Sequence, residues 1–234
     1  DLDDARLSAL VERLSTADMA VSAVASPIGK VDVDEDPESE VVRLERVIRV
    51  ARALQTPYIR IFSFFLEGRS PETARDAVLT RMARLAETAA RQGVILLHEN
   101  EKGIYGDTPE RVLDIVESVG SPALRVAWDS ANFVQVGVAR PHDSGFALLR
   151  PHLEYLQVKD AIAATGEVVP AGQGDGQVAL TIQALAADGY TGFASLEPHL
   201  ASAHELGGFS GPAAFGAAAR AFRTIAENAG VTLR

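Results

Sequence analysis

Strand-like and helix-like segments alternate along this chain without a break, which predicts an α/β fold with a parallel sheet and helices outside it. Four consecutive strand-like runs then end in an acid, amide or basic group: Val94-Ile-Leu-Leu-His-Glu-Asn100, Val126-Ala-Trp-Asp129, Tyr155-Leu-Gln-Val-Lys-Asp160 and Phe193-Ala-Ser-Leu-Glu-Pro-His199. Within them Glu99, Asp129, Gln157 and Glu197 follow at intervals of 30, 28 and 40 residues. Alternation alone also permits an open, doubly wound sheet, but that fold gathers its binding groups at a switch point. Functional groups at four successive strand ends suit a (β/α) barrel, whose site is assembled from the C-terminal ends of many strands.

The elements follow in order. Asp1 to Leu14 reads as a helix with Leu7, Leu10, Val11 and Leu14 on one stripe. Met19 to Ala25 reads as a strand, ended by Ser26-Pro-Ile-Gly29, and Val31 to Asp36 as an acidic loop. Pro37 after Asp36 opens a helix to about Leu54 with Val41, Leu44, Val47, Ile48 and Ala51 inward. Tyr58 to Phe62 is the next strand. Ser70-Pro71 starts a helix that runs to Gln92, with Gly93 as its stop. The apolar run from Val94 is a strand buried on both faces. A loop with Gly103 and Gly106 leads to Asp107-Thr108-Pro109-Glu110, which opens a helix ending near Gly120. Val126 to Trp128 is a strand, His142 to Leu149 a short helix, and Tyr155 to Lys159 a strand. A glycine-rich loop, a helix from Leu180 to Ala187 stopped by Gly189, a strand from Phe193 to Leu196 and a helix from Pro212 to Asn228 complete the chain. That gives six strands where a closed barrel has eight. The helix at the start has no strand before it, so two further strands are expected upstream of Asp1.

The chain's 234 residues suffice for a full hydrophobic core, and no long linker or composition shift divides them, so one domain over residues 1–234 is expected. With 47% hydrophobic and 23% charged residues the composition is that of an ordered globular protein. A net charge of −10 argues against a broad nucleic-acid surface, which needs excess Lys and Arg to displace counterions. The absence of cysteine excludes disulfides and thiolate metal sites. There is no apolar run of about 18 residues and no charged-then-apolar leader, so no membrane association and a cytoplasmic location are expected.

A divalent cation needs two or three carboxylates with neutral oxygen or nitrogen donors. Glu99, Asp129 and Glu197 supply carboxylates at three strand ends, and Gln157 can supply an amide oxygen from a fourth. A single strand-end acid is more often a salt bridge or helix cap, but the ends of parallel strands converge on one mouth. His98 precedes Glu99, so strand alternation aims it the other way and makes it structural; Asn100 takes a supporting part. His199 stands two residues past Glu197, whereas His152 and His204 read as surface or satisfied residues. Lys159, two residues after Gln157 and on the same side, can neutralise an anionic substrate oxygen; the competing reading is a salt bridge with Asp160. Arg60 is a charge inside a strand and needs a partner or a substrate. Pro170-Ala-Gly-Gln-Gly-Asp-Gly176 matches neither a dinucleotide nor a phosphate-loop fingerprint and reads as a tight turn near the mouth. Trp128 reads as core, and Tyr105 as part of a loop covering the site.

These residues give the chain a close resemblance to the sugar phosphate isomerase/epimerase family of xylose isomerase-like TIM barrels. Its carriers are Leu97-His-Glu-Asn-Glu-Lys-Gly-Ile-Tyr-Gly-Asp-Thr108, Trp128-Asp-Ser-Ala-Asn-Phe-Val134, Tyr155-Leu-Gln-Val-Lys-Asp-Ala161, Pro170 to Gly176, and Ser195-Leu-Glu-Pro-His199. The resemblance implies a TIM barrel, here reduced at its N-terminus to about six strands, with Met19 to Ala25 as the family's third. It implies a divalent ion, Mn²⁺, Mg²⁺ or similar, held by Glu99, Asp129, Gln157 and Glu197. Gln157 stands where many members have a ligating His, a change that favours hard, oxygen-loving ions. The implied activity is metal-dependent isomerisation or epimerisation of a small sugar, sugar phosphate or keto-sugar. Glu99 and Glu197 would exchange a proton through a metal-stabilised enediolate, and Arg60, Lys159 and His199 would bind the substrate. The alternatives are a lyase or dehydratase acting on an inosose or 3-keto sugar, or a sugar-binding barrel without activity. The resemblance also implies a homodimer or homotetramer.

Overall fold

The computed structural model describes residues 3–198 and 211–233. The chain divides into two compact units, Asp1–His98 with Ile115–Arg125, and Glu99–Asp114 with Val126–Arg234. Among the described residues, eight α-helical segments, α1 to α8, and eight strands, β1 to β8, are numbered below in chain order. Six strands belong to one sheet in the order β1-β2-β3-β4-β5-β8, and β6-β7 form a separate pair.

In the first unit, Asp3 accepts the Arg6 N–H at 2.8 Å and so caps helix α1 at Asp4–Thr16. Strand β1 is short, Val24–Ala25, paired in parallel with β2 through Val24↔Ile59 and Ala25↔Arg60. The expected strand began at Met19, which is 62% exposed. The apolar run supplies strand propensity, but only its last two residues make a ladder. Asp36 and Pro37 open α2 (Pro37–Ala53), which buries Leu44, Ile48 and Ala51. Between these elements Gly29 has φ 82° and passes so close to β2 (Tyr58–Ile61) that a Cβ would lie 2.2 Å from the Phe62 carbonyl oxygen. Ser70, Pro71 and the left-handed Gly93 bound α3 (Pro71–Gln92) as expected. Strand β3 (Ile95–Glu99) follows β2 in parallel, with His98 opposite Ile61.

The second unit carries the candidate chemistry. Helix α4 (Pro109–Val119), whose last turn belongs to the first unit, is followed by β4 (Leu124–Asp129). Helix α5 (Ser130–Gln135) starts directly on β4's last residue. A π-turn over His142–Phe146 leads into the short α6 (Ala147–Leu149) and then β5 (Leu153–Val158). Two pieces of this unit are additions to the sequence reading: α5, and the antiparallel pair β6 (Asp160–Ala161) with β7 (Val168–Val169). Both are too short to carry a detectable hydrophobic period. Helix α7 (Val178–Ala187), β8 (Phe193–Leu196) and α8 (Gly211–Asn228) complete it. β4 pairs with β5 and β5 with β8, both in parallel, so their C-terminal ends lie on one edge. Beneath them Trp128, fully buried, meets the Phe133 and Phe146 rings edge-on at 4.9 and 5.9 Å, which confirms it as core. Such pairs contribute about 0.5–1.5 kcal/mol each beyond area burial. No helix among the described residues is long and apolar enough to cross a membrane.

Candidate active site

The site is built on the junction between β4 and α5. Asp129 ends the strand and caps the helix, its Oδ1 accepting the Asn132 N–H at 2.9 Å. Asn100, one residue past β3, extends the strand pairing with its side chain. Its Nδ2 donates to the Asp129 carbonyl at 2.9 Å, and the Asp129 N–H donates to its Oδ1 at 2.9 Å. Asn132 closes the frame by donating from Nδ2 to the Asn100 carbonyl at 2.8 Å, and the same nitrogen lies 3.5 Å from Glu99 Oε1. Asn100 and Asn132 are both buried. They fix where Glu99 and Asp129 stand. The role of Asn132 escaped the sequence reading, although its position three residues after Asp129 is an N-cap spacing.

Asp129 and Gln157 are register partners, as are Gln157 and Ser195, so their side chains leave the sheet on one face. Lys159 and Glu197, each two residues further on, share that face. The outcome is a cluster in which Glu99, Asp129 and Glu197 each offer a carboxylate oxygen within 4.8 Å of the others. Glu99 and Asp129 are buried, and Glu197 is partly exposed. Lys159 enters this cluster: its Nζ lies 2.9 Å from Asp129 Oδ2 and 2.8 Å from Glu197 Oε2. The Glu197 contact is aligned as a hydrogen bond, whereas Asp129 Oδ2 is close in distance only. Lys159 therefore bridges two of the acids, and the competing reading, a bridge to Asp160, is not what the described residues show.

One ammonium against three carboxylates leaves an excess of two negative charges when all are ionised. Burial pushes the Asp129 carboxyl up to about 7; Lys159 opposes the rise, and Glu99 and Glu197 add to it. Burial alone would lower Lys159, but Asp129, Glu197 and Glu99 outweigh it and hold the ammonium above its ordinary value. It is thus a charged group, not a free amine nucleophile. Gln157 Oε1 is buried and accepts no hydrogen bond among the described residues. An orphaned amide oxygen beside an acidic cluster short of positive charge fits a hard divalent ion taking oxygen donors. Glu99, Asp129, Glu197 and Gln157 are the residues that would hold it.

Arg60 lies on β2 in the first unit, with its guanidinium 4.6 Å over the Phe62 ring. His98 is fully buried, makes no hydrogen bond from either ring nitrogen among the described residues, and is held down to about 3 by burial. His152 precedes β5, at the end of that strand opposite Gln157. Tyr105 is buried and donates its hydroxyl to Asp114 Oδ2 at 2.7 Å, a structural contact. His199 and His204 lie outside the described residues.

Sequence reasoning missed Asp160. This fully buried carboxylate accepts backbone N–H groups from Ala161, Gly172, Gly174 and Gly176 at 2.8–3.1 Å. The glycines are needed for approach: a Cβ on Gly174 or Gly176 would come within 2.5 or 2.7 Å of Asp160 Oδ1. The 170–176 loop is therefore a nest around an internal anion.

Acids gathered at the C-terminal ends of parallel strands define a (β/α)-barrel type of site. A sequence profile described as xylose isomerase-like TIM barrel matches residues 1–225, and the chain belongs to that family. No curated protein matches it significantly. Solved structures similar to it include a xylose isomerase-like TIM barrel protein from Mycobacterium smegmatis in complex with magnesium (20% identity, TM-score 0.71, 97% of this chain and 79% of that one). Others are L-ribulose 3-epimerase (18%, TM-score 0.74, 98% and 83%) and a "probable 3-DHS dehydratase" from Bacillus anthracis (22%, TM-score 0.66, 81% and 74%). At these identities the likeness is one of fold.

Proposed function

We propose that this protein is a metal-dependent isomerase or epimerase of a small sugar, sugar phosphate or keto-sugar. The observation that carries the reading is the convergence of Glu99, Asp129 and Glu197 within 4.8 Å, supported by a solved relative in complex with magnesium and another that is a sugar epimerase. Glu99, Asp129, Glu197 and Gln157 would hold a divalent ion, which would supply Lewis acidity at the substrate's carbonyl group.

Glu99 and Glu197 act as the proton-transfer pair. One carboxylate removes the hydrogen from the carbon beside the carbonyl, and the C–H electron pair moves into the enediolate. The other returns a proton, to the opposite face for epimerisation, or to the adjacent carbon for isomerisation, in which the neighbouring hydroxyl proton also passes to the former carbonyl oxygen. Asp129, fixed by Asn100 and Asn132, keeps the mouth in register. Lys159 and His199 meet substrate oxygens, and Arg60 is assigned to substrate binding. The substrate is a small molecule, and a homodimer or homotetramer in the cytoplasm is the proposed setting.

The test is exchange of the substrate's C–H with deuterated water in the presence of Mn²⁺, across a panel of ketoses and keto-inositols. Glu99→Gln and Glu197→Gln should each reduce exchange by about 10²-fold or more; exchange retained in both overturns the assignment. Loss of water from a panel member with no isomer formed would instead select the dehydratase reading, which the resemblance to the 3-DHS dehydratase supports.

A further inference from the structure

Asp129 Oδ1 is engaged by a backbone donor, and its Oδ2 lies against a cation. Oδ1 holds the first turn of α5 through the Asn132 N–H at 2.9 Å, and Oδ2 faces the Lys159 ammonium at 2.9 Å. Glu197 offers Oε2 to the same ammonium at 2.8 Å. The Lys159 side chain is only 6% exposed, so no shell of water screens it from the acids. Its charge thus stands against two of the carboxylates that the proposed cation would take. Ligating oxygens lie about 2.0–2.6 Å from a divalent ion, and an ammonium at hydrogen-bond distance from those oxygens would be its close neighbour of like charge. The two cannot share Asp129 Oδ2 and Glu197 Oε2 without strong repulsion.

We propose that Lys159 is a built-in counter-ion that competes with the divalent ion for Asp129 and Glu197, and so sets the affinity of the site for metal. This rests on the metal-site reading given above. Without metal, the ammonium holds two of the acids in place and offsets part of their mutual repulsion. On loading, it must release at least one carboxylate, and metal binding is weaker by the free energy of that contact. An opposite role is physically available: Lys159 could instead assist metal binding by holding the carboxylates in position. The two roles predict opposite changes on removing the charge.

The experiment is calorimetric titration of chelator-stripped protein with Mn²⁺, comparing wild type with Lys159→Met and Lys159→Arg. Lys159→Met keeps the length of the side chain and removes its charge, and should bind Mn²⁺ about tenfold or more tightly, with a larger Mn²⁺-induced rise in melting temperature. Lys159→Arg keeps the charge and should stay within about threefold of wild type, which also covers the case in which the methionine variant fails to fold. Unchanged or weaker binding by a folded Lys159→Met, or tenfold tighter binding by Lys159→Arg, overturns the competition while leaving the metal site standing. Stoichiometric Mn²⁺ uptake by none of the three proteins overturns the metal reading itself.

Discussion

Two fully buried aspartates stand at neighbouring strand ends and are handled in opposite ways. Asp160 is surrounded by donors: four backbone N–H groups converge on its two oxygens. Asp129 is surrounded mostly by acceptors. It shares its space with Glu99 and Glu197, has one aligned donor in the Asn132 N–H, and depends on Lys159 for charge compensation. A buried charge is tolerated when hydrogen bonds and opposite charges replace the water it has lost. By that criterion Asp160 is a finished structural unit, whereas Asp129 belongs to a cluster that retains a demand for positive charge. The difference separates an acid that builds the fold from one that is available for chemistry.

Removing each carboxylate tests the distinction. Asp160→Ala would orphan N–H groups at the centre of the loop and should lower stability by about 3 kcal/mol or more. Asp129→Asn removes a negative charge from a cluster that has too many, while its amide oxygen can still cap α5, so stability should change by no more than about 1 kcal/mol. Urea denaturation in chelator-containing buffer measures both. Similar losses for the two variants would erase the contrast.

That contrast is only half visible in the sequence. Glu99, Asp129, Gln157 and Glu197 could be picked out because each ends an apolar strand, and parallel strands bring their ends together whatever the details of packing. Asp160 sits in the same kind of run, yet its partners are backbone N–H groups 12, 14 and 16 residues later, and backbone donors leave no side-chain signature. The glycines at 172, 174 and 176 were the trace of it, read as turn formers when two of them are spacers. Lys159 shows the related limit. Its neighbour in sequence, Asp160, competes as a partner in a linear reading, but alternation along the strand turns adjacent side chains to opposite faces. The short β1 shows a third: a strand is defined by its partner, and an apolar run such as Met19 to Ala25 reports only half of that requirement.

A second prediction probes the Asp160 nest from the loop side. At Gly174 a Cβ would meet both Asp160 Oδ1 and the Ala161 carbonyl oxygen at 2.5 Å. Backbone and a fully bonded carboxylate cannot move aside as a flexible side chain would. Gly174→Ala should therefore cost about 1–3 kcal/mol, measured in the same denaturation series. At Gly216 a Cβ would meet only the end of the Arg220 side chain, at 3.3 Å, and Gly216→Ala, inside α8, should be neutral or stabilising. Equal costs at the two positions would show that the loop does not need its close approach to Asp160.

His98 extends the comparison to a buried base. Unlike either aspartate it has no hydrogen-bond partner among the described residues, and burial alone keeps it neutral, with its pKa lowered to about 3. In the unfolded chain the same imidazole takes up a proton near its ordinary value of about 6.5. Between those values the unfolded state binds more protons, so the contribution of His98 to stability is fully present above about pH 6.5 and is lost on acidification, by about 1 kcal/mol per pH unit. Asp129 works the other way. Its raised pKa means that the folded state holds the extra proton between its ordinary value and about 7, so its contribution falls as pH rises through that window. The two slopes oppose each other, and the wild-type profile alone would conceal both. Subtracting the profile of His98→Leu from that of wild type between pH 5 and 7.5, in chelator, isolates the histidine. The difference should favour wild type increasingly as pH rises and level off above about 6.5; a difference independent of pH would mean that His98 takes up its proton in the folded protein as it does in the unfolded chain.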